Sequence, residues 1–322
     1  MTSRLPQVAD VERWLEADRR ARPARVARLR ERLAGEGLDG YFGVRRENTR
    51  YLTGFDLGEG EEKVAGNSGQ FFISSDEVVV LADSRYTLQA GEQCPDARIE
   101  HVYHDFAGRW PELLAGLRPI HSSNGVRRLA VEAGFVSHAA WQRLAAGTPG
   151  VELVPVEGWV EEQRQTKEPA EIERIGAACA VADAALTALL PRIMPGVTEA
   201  ELALELEWLM RTGGAEAVAF GVACLGGPRA ALPHGSPGPR PVAATEVLLF
   251  DFGAQVCGYR SDMTRTLFVG EPSRGDLEIY RLVAGAQQEA LTVLGASASA
   301  GRRPDGRTID AVARGVITAA GR

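Results

Sequence analysis

The stretch LLFDFGAQVCGYRSDMTRTLFVG, residues 248–270, decides how the rest of the chain is read. Aromatic and β-branched residues flank a short polar centre, so 246–254 and 259–269 are expected as two strands of a hairpin. Asp251 interrupts the apolar run of the first strand, where an unpaired carboxylate is costly to bury. Asp262 lies in the second. A two- or four-residue loop centred between Val256 and Cys257 sets the two aspartates directly opposite each other. Opposed side chains have Cβ atoms about 4.5–5.5 Å apart, and like charges there are destabilising. At ~5 Å and an effective dielectric near 20 the repulsion is about 3 kcal/mol. The pair is relieved by sharing a proton or by sharing a divalent cation such as Mn, Co, Mg or Zn. In a third arrangement one aspartate caps the turn while the other pairs with Arg260 or Arg265. The register alone leaves all three open.

Upstream lies a Pro/Gly-rich loop, 226–241, with His234, the only histidine after position 138. Before it, Thr198-x-x-Glu201 is a capping box for a helix that ends at Gly213-Gly214. Pro169 sits where a helix tolerates proline, in its first turn, with Glu171 and Glu173 at the positive end of the dipole. Ile172, Ile175, Cys179, Ala182, Leu186 and Leu189 are expected to form that helix's buried face, and Pro191 to end it. Downstream, a helix over 276–294 places Ile279, Leu282, Val283, Ala286, Ala290 and Leu294 on one side, and Thr308 caps a last helix. The first half alternates strands and helices. Pro23 is expected to break an arginine-rich segment, and Val26, Leu29 and Leu33 then recur at helical spacing. Strands are expected at 39–44, 70–74, 77–82, 98–103, 127–132 and 151–156, the second and third as a hairpin. Such alternation predicts an α/β domain over residues 1–157, with the polar stretch 157–168 leading into a second domain, 158–322.

The whole chain of 322 residues suits two domains, and its 45% hydrophobic and 25% charged residues are those of a globular protein. With 36 basic against 43 acidic residues the net charge is −7, so there is no general attraction to nucleic acid or to anionic membranes. No uninterrupted apolar run nears the ~18 residues of a membrane span, and the N-terminus lacks a signal peptide's apolar core. A cytoplasmic protein without nucleic-acid or membrane partners is expected. Cys94, Cys179, Cys224 and Cys257 form no C-x-x-C pair and read as reduced, mostly buried thiols.

Several ordered motifs carry a resemblance to a known family. They are Pro233-His234-Gly235, Asp251-Phe252-Gly253-Ala254 and Gly258-Tyr259-Arg260-Ser261-Asp262-Met263-Thr264-Arg265-Thr266, preceded by Lys167-Glu168-Pro169-Ala170-Glu171-Ile172 and Pro195-Gly196-Val197-Thr198-Glu199. In the first half, 47–55 and Asp83-Ser84-Arg85-Tyr86 belong to the same set. Together they resemble the creatinase/prolidase/aminopeptidase P group of pita-bread metallopeptidases, over about residues 24–322. The resemblance implies an α/β creatinase-like N-terminal domain followed by an α+β pita-bread domain. It also implies Asp251 and Asp262 as metal ligands of a dinuclear centre of Mn, Co or Zn ions, with a metal-bound hydroxide as nucleophile. His234 matches a histidine near the scissile bond, whereas Tyr259 and Arg265 hold the hairpin in register. The implied substrates are short peptides with proline at the second position, cleaved as an Xaa-Pro aminopeptidase or dipeptidase, and the implied assembly is a homodimer.

The resemblance also implies five protein ligands, of which two are present; a Gly-His-Gly histidine and two glutamates would follow position 322. The expectation is therefore a C-terminally truncated pita-bread domain, poorly soluble and inactive in this form. Two other readings stand beside it: a metal-free creatinase-type amidinohydrolase, whose members replace the aspartates kept here, and a non-catalytic binding or regulatory protein on the same scaffold.

Overall fold

In Gly40-Tyr41-Phe42-Gly43 neighbouring side chains point to opposite faces of a strand, and both faces are buried. A sheet built from such runs needs a covering layer on each side. The computed structural model describes residues 5–58, 66–102 and 106–322. The chain forms two compact units, Pro6–Arg174 and Ile175–Arg322.

The first unit contains α1 (Val8–Gly35), β1 (Gly40–Gly43), α2 (Arg46–Thr53), β2 (Phe71–Ile73), β3 (Val78–Ala82), α3 (Thr87–Gln93), β4 (Arg98–His101), α4 (Phe106–Gly116), β5 (Arg128–Glu132), α5 (His138–Gly147), β6 (Glu152–Val156) and α6 (Trp159–Gln165). Its sheet has the order β4-β3-β2-β1-β5-β6. The β1–β2 and β2–β3 pairs are antiparallel, and β3–β4, β1–β5 and β5–β6 are parallel. Phe42, Phe72, Leu81 and Val131 pack with Trp110 and Leu144 on one face. Tyr41, Phe71, Ile73 and Ala130 pack with Leu29, Leu33 and Tyr51 on the other. The expected strand at 98–103 is β4; Tyr103, like His104, lies outside the described residues.

Pro23 does not break its segment, because α1 runs through it as one helix of 28 residues. An interior proline costs ~3 kcal/mol. Burial of Trp14, Val26, Leu29 and Leu33 along the same helix offsets it, at roughly 1.5–3 kcal/mol for each large side chain.

Helix α7 (Pro169–Leu189) crosses the division between the units. After it come α8 (Glu199–Thr212), β7 (Ala217–Val218), β8 (Ala223–Gly226), β9 (Val247–Phe252), β10 (Ala254–Val256), β11 (Tyr259–Arg260), β12 (Met263–Phe268), α9 (Arg274–Ser299) and α10 (Gly306–Ala319). The strands form two small sheets, β12-β9-β8 and β11-β10-β7. The buried face of α7 matches the expected one in part, with Ala182, Leu186 and Leu189 buried as expected. Ala178, Val181, Ala182, Ala185 and Leu189 are buried, while Ile172 is 57% exposed. Alanines let neighbouring backbone approach closely, so Ala178 and Ala185 join the contact that Leu186 and Leu189 make. By length and composition, Pro169–Arg192 could cross a membrane; half of its most apolar window is buried, as in a core helix. The last helix, α10, is capped by Asp305 rather than Thr308: the Asp305 carboxylate accepts the Thr308 N–H at 2.9 Å. A carboxylate suits that end of the helix dipole.

Candidate functional site

Two residues in left-handed backbone set the register of the central hairpin. Cys257 and Gly258 have φ of 49° and 78°, the pattern of a type I′ turn, whose twist matches that of the strands it joins. Val256 pairs with Tyr259 and Gln255 with Arg260 across it. The same register places Asp251 opposite Thr264 and Phe250 opposite Arg265. The turn is centred one residue later than the sequence suggested, so the expected direct opposition of Asp251 and Asp262 does not form. The Gly258 N–H, donating to Glu216 Oε1 at 2.6 Å, helps hold the turn in place.

Asp262 is instead offset by two residues from the position facing Asp251, where the ladder is interrupted. Gly253 sits at that interruption, and a Cβ there would lie 1.9 Å from the Ser261 carbonyl oxygen. Ser261 is buried and bridges the gap. The Ala254 N–H donates to its Oγ at 3.0 Å, its own N–H donates to the Ala254 carbonyl at 2.9 Å, and its hydroxyl reaches the Ala178 carbonyl at 3.2 Å.

The offset carboxylates still feel each other. Burial raises the Asp251 carboxyl above its ordinary value, and the charge of Asp262 adds to the rise; the Thr264 hydroxyl and His234 pull the other way. Thr264 Oγ1 donates to Asp251 Oδ1 at a long 3.5 Å. Asp251 is half-buried, while Asp262 and His234 are exposed. The arrangement with an arginine partner is not built. Arg260 Nε donates to Gln255 Oε1 at 2.7 Å, and Arg265 faces Asp183 at 3.4 Å. Asp262 and His234 thus both act on Asp251 through their charge.

The expected metal cofactor does not survive this geometry. Among the described residues, no group of three or more His, Cys, Asp or Glu side chains could hold a metal ion. A dinuclear centre of Mn, Co or Zn needs more donors than two offset carboxylates and a loop imidazole supply. The expectation of two divalent ions is corrected on that ground.

Sequence reasoning passed over Glu199 as a site residue. The expected capping box beside it forms, with the Glu201 N–H donating to Thr198 Oγ1 and the Thr198 N–H to Glu201 Oε2. Glu199 itself is wholly buried, against the loop that carries His234. Its sequence signals are a place at the end of the motif at 195–199 and an acid in a first helical turn, common to many helices.

Residues 25–166 match the Creatinase/Prolidase N-terminal domain, and residues 173–322 match Metallopeptidase family M24. Over 263 residues the chain is 34% identical to the uncharacterized peptidase YqhT of Bacillus subtilis, across 82% of this chain and 70% of that protein. The chain belongs to the creatinase/prolidase/aminopeptidase P family. As in that family, a creatinase-like α/β domain precedes a pita-bread domain. The Xaa-Pro dipeptidase of Pyrococcus furiosus is 34% identical over 184 residues, an alignment that covers 57% of this chain and 51% of that enzyme. The chain therefore spans about half the length of that family member. The solved Xaa-Pro dipeptidase from Bacillus anthracis superposes with a TM-score of 0.78 at 28% identity, covering 92% of this chain and 78% of that one.

Proposed function

We propose that this family member recognises short Xaa-Pro peptides on the face formed by Asp251, Asp262 and His234, and that the 322-residue chain alone binds them without enzymatic turnover. The observation carrying this reading is a carboxylate pair that neither nearby arginine neutralises, beside a loop imidazole. Two adjacent carboxylates attract a cation, and a peptide's α-ammonium group is one. The bond before proline has no N–H to offer, so its carbonyl oxygen is the group left to recognise. His234 is proposed to donate a hydrogen bond to that oxygen, where negative charge would develop during hydrolysis. A small guanidino compound is the second reading, because a guanidinium also fits a carboxylate pair.

The test is calorimetric titration of Ala-Pro into the chain and into Asp251→Asn and His234→Ala, with proline release followed in parallel. Ala-Pro should bind, each substitution should weaken it about tenfold, and a guanidino compound should not displace it. Absence of binding, or binding by both variants as tight as by the unaltered chain, would overturn the reading. Proline release at an enzyme's usual ~10 per second would overturn the claim of no turnover.

A further inference from the structure

We infer that Glu199 is a positioning residue for His234, its one buried carboxylate clamping both shoulders of the loop that carries the imidazole. This rests on the placement of His234 at the peptide-binding face proposed above. Glu199 is the first residue of α8 and is 0% exposed. Its Oε1 accepts the Gly226 N–H at 2.9 Å, and its Oε2 accepts the Gly238 N–H at 3.2 Å. Gly226 ends β8 and Gly238 lies beyond His234, so a single side chain ties the loop's departure to its return. Arg229 Nε lies 3.2 and 3.1 Å from the two carboxylate oxygens. The same arginine donates to the Ser236 carbonyl at 2.6 Å, bridging the loop close to His234.

The backbone of α8 joins the clamp. A helix begins with N–H groups that have no partner inside it, and here Glu199 and Ala200 donate theirs to the carbonyls of Arg240 and Gly238, both at 3.0 Å. Helix formation does not explain why Glu199 is buried. Thr198 and exposed Glu201 already cap α8, so a second acid in this turn is not needed for the helix. What it adds is a charge that must stay paired. Opening the loop would take Arg229, itself 38% exposed, away from the buried carboxylate and leave only Arg240, 4.0 Å from its Oε1, to face that charge.

The test compares Glu199→Gln and Glu199→Asp with the unaltered chain, each with His234 and in a His234→Ala background. Glutamine keeps the size but turns one acceptor into a donor facing other donors. Hydrogen exchange over 226–238 should accelerate at least tenfold in Glu199→Gln while α8 keeps its protection, and Glu199→Asp should recover part of it. Ala-Pro affinity should fall about tenfold when His234 is present and stay unchanged in the His234→Ala background. Unaltered loop exchange, or the same affinity loss with and without His234, would overturn the inference. If Ala-Pro does not bind even the unaltered chain, the proposed function fails, and loop exchange alone then decides for or against the clamp.

Discussion

At Gly253 the backbone of Ser261 occupies the space a methyl group would need, with a Cβ landing 1.9 Å from the carbonyl oxygen. Rigid backbone cannot swing aside as a flexible side chain can. Gly253→Ala should therefore destabilise the chain by about 2–3 kcal/mol, read as a lower urea midpoint. Thr245 is the opposite case. It is exposed and β-branched, yet holds φ of 64°, a conformation that costs about 1–3 kcal/mol. Thr245→Gly relieves that strain for the ~0.5–1 kcal/mol of added chain entropy, so it should raise the urea midpoint. Asp251 is strained electrostatically rather than sterically. Its folded pKa is raised, by burial first and by Asp262 second, so its favourable contribution is present below the unfolded value and is lost as pH rises through the folded one. Asp251→Asn should stabilise the chain by about 0.5–1 kcal/mol at pH 7, with the gain disappearing on acidification below pH ~4. A variant no more stable than its parent at neutral pH would show that the two carboxylates do not repel.

Among elements, the first turns of α7 are tied to α1 by a buried ion cluster. Arg174 is 0% exposed and Arg25 is 1% exposed. Both meet Asp18, at 2.7 and 3.0 Å, and Arg25 also meets Glu168 at 2.6 Å. Burial alone would raise the Asp18 pKa, but the guanidinium groups of Arg174 and Arg25 outweigh it and hold the carboxyl below its usual range. A depressed carboxyl contributes stability above its unfolded pKa of about 3.9, and that stability is lost as pH falls through the lower folded value. Tryptophan fluorescence, to which buried Trp14 and Trp110 contribute alongside Trp141 and Trp159 of this unit, should show acid unfolding steepening below pH ~4. Asp18→Asn leaves two buried arginines short of a partner and should cost about 3–5 kcal/mol at pH 7, while flattening that acid limb. An unchanged acid limb would remove Asp18 as its cause. The same scale shows where periodicity misled: Pro23 predicted a break that packing of α1 overrides, and Ile172, expected on the buried face of α7, is exposed.

At the scale of the molecule, α9 presents Tyr280, Val283, Leu291 and Leu294 on one face, 43%, 53%, 54% and 41% exposed. Only Ala286 and Ser297 of that helix are buried. An apolar stripe of this kind is an aggregation liability. Replacing Val283 and Leu291 together by glutamate should reduce light scattering at tens of micromolar protein, with helical circular dichroism retained. Equal scattering by parent and variant would clear the stripe of that role. The motifs that carried the family resemblance run through both units, and for that reason the two-domain architecture was legible before any coordinates. The site was legible in part. The charges of Asp262 and His234 are felt at Asp251, but the opposition of the aspartates and the metal centre built upon them do not hold.

Local signals account for the first kind of success. Alternation, capping residues and turn glycines act over a few neighbouring positions, so strands, the α8 cap and the hairpin can be read from the residues that form them. Tertiary structure decided the rest. The turn at Cys257-Gly258 moved the turn centre by one residue and the partner of Asp251 by two, because left-handed backbone there matches the strand twist, and Cys-Gly is a weaker signal of it than Asn-Gly. Burial of Glu199 against Gly226, Arg229 and Gly238 depends on segments distant in the chain meeting in space. So does the count of side chains near enough to share a metal, which only the folded chain could set.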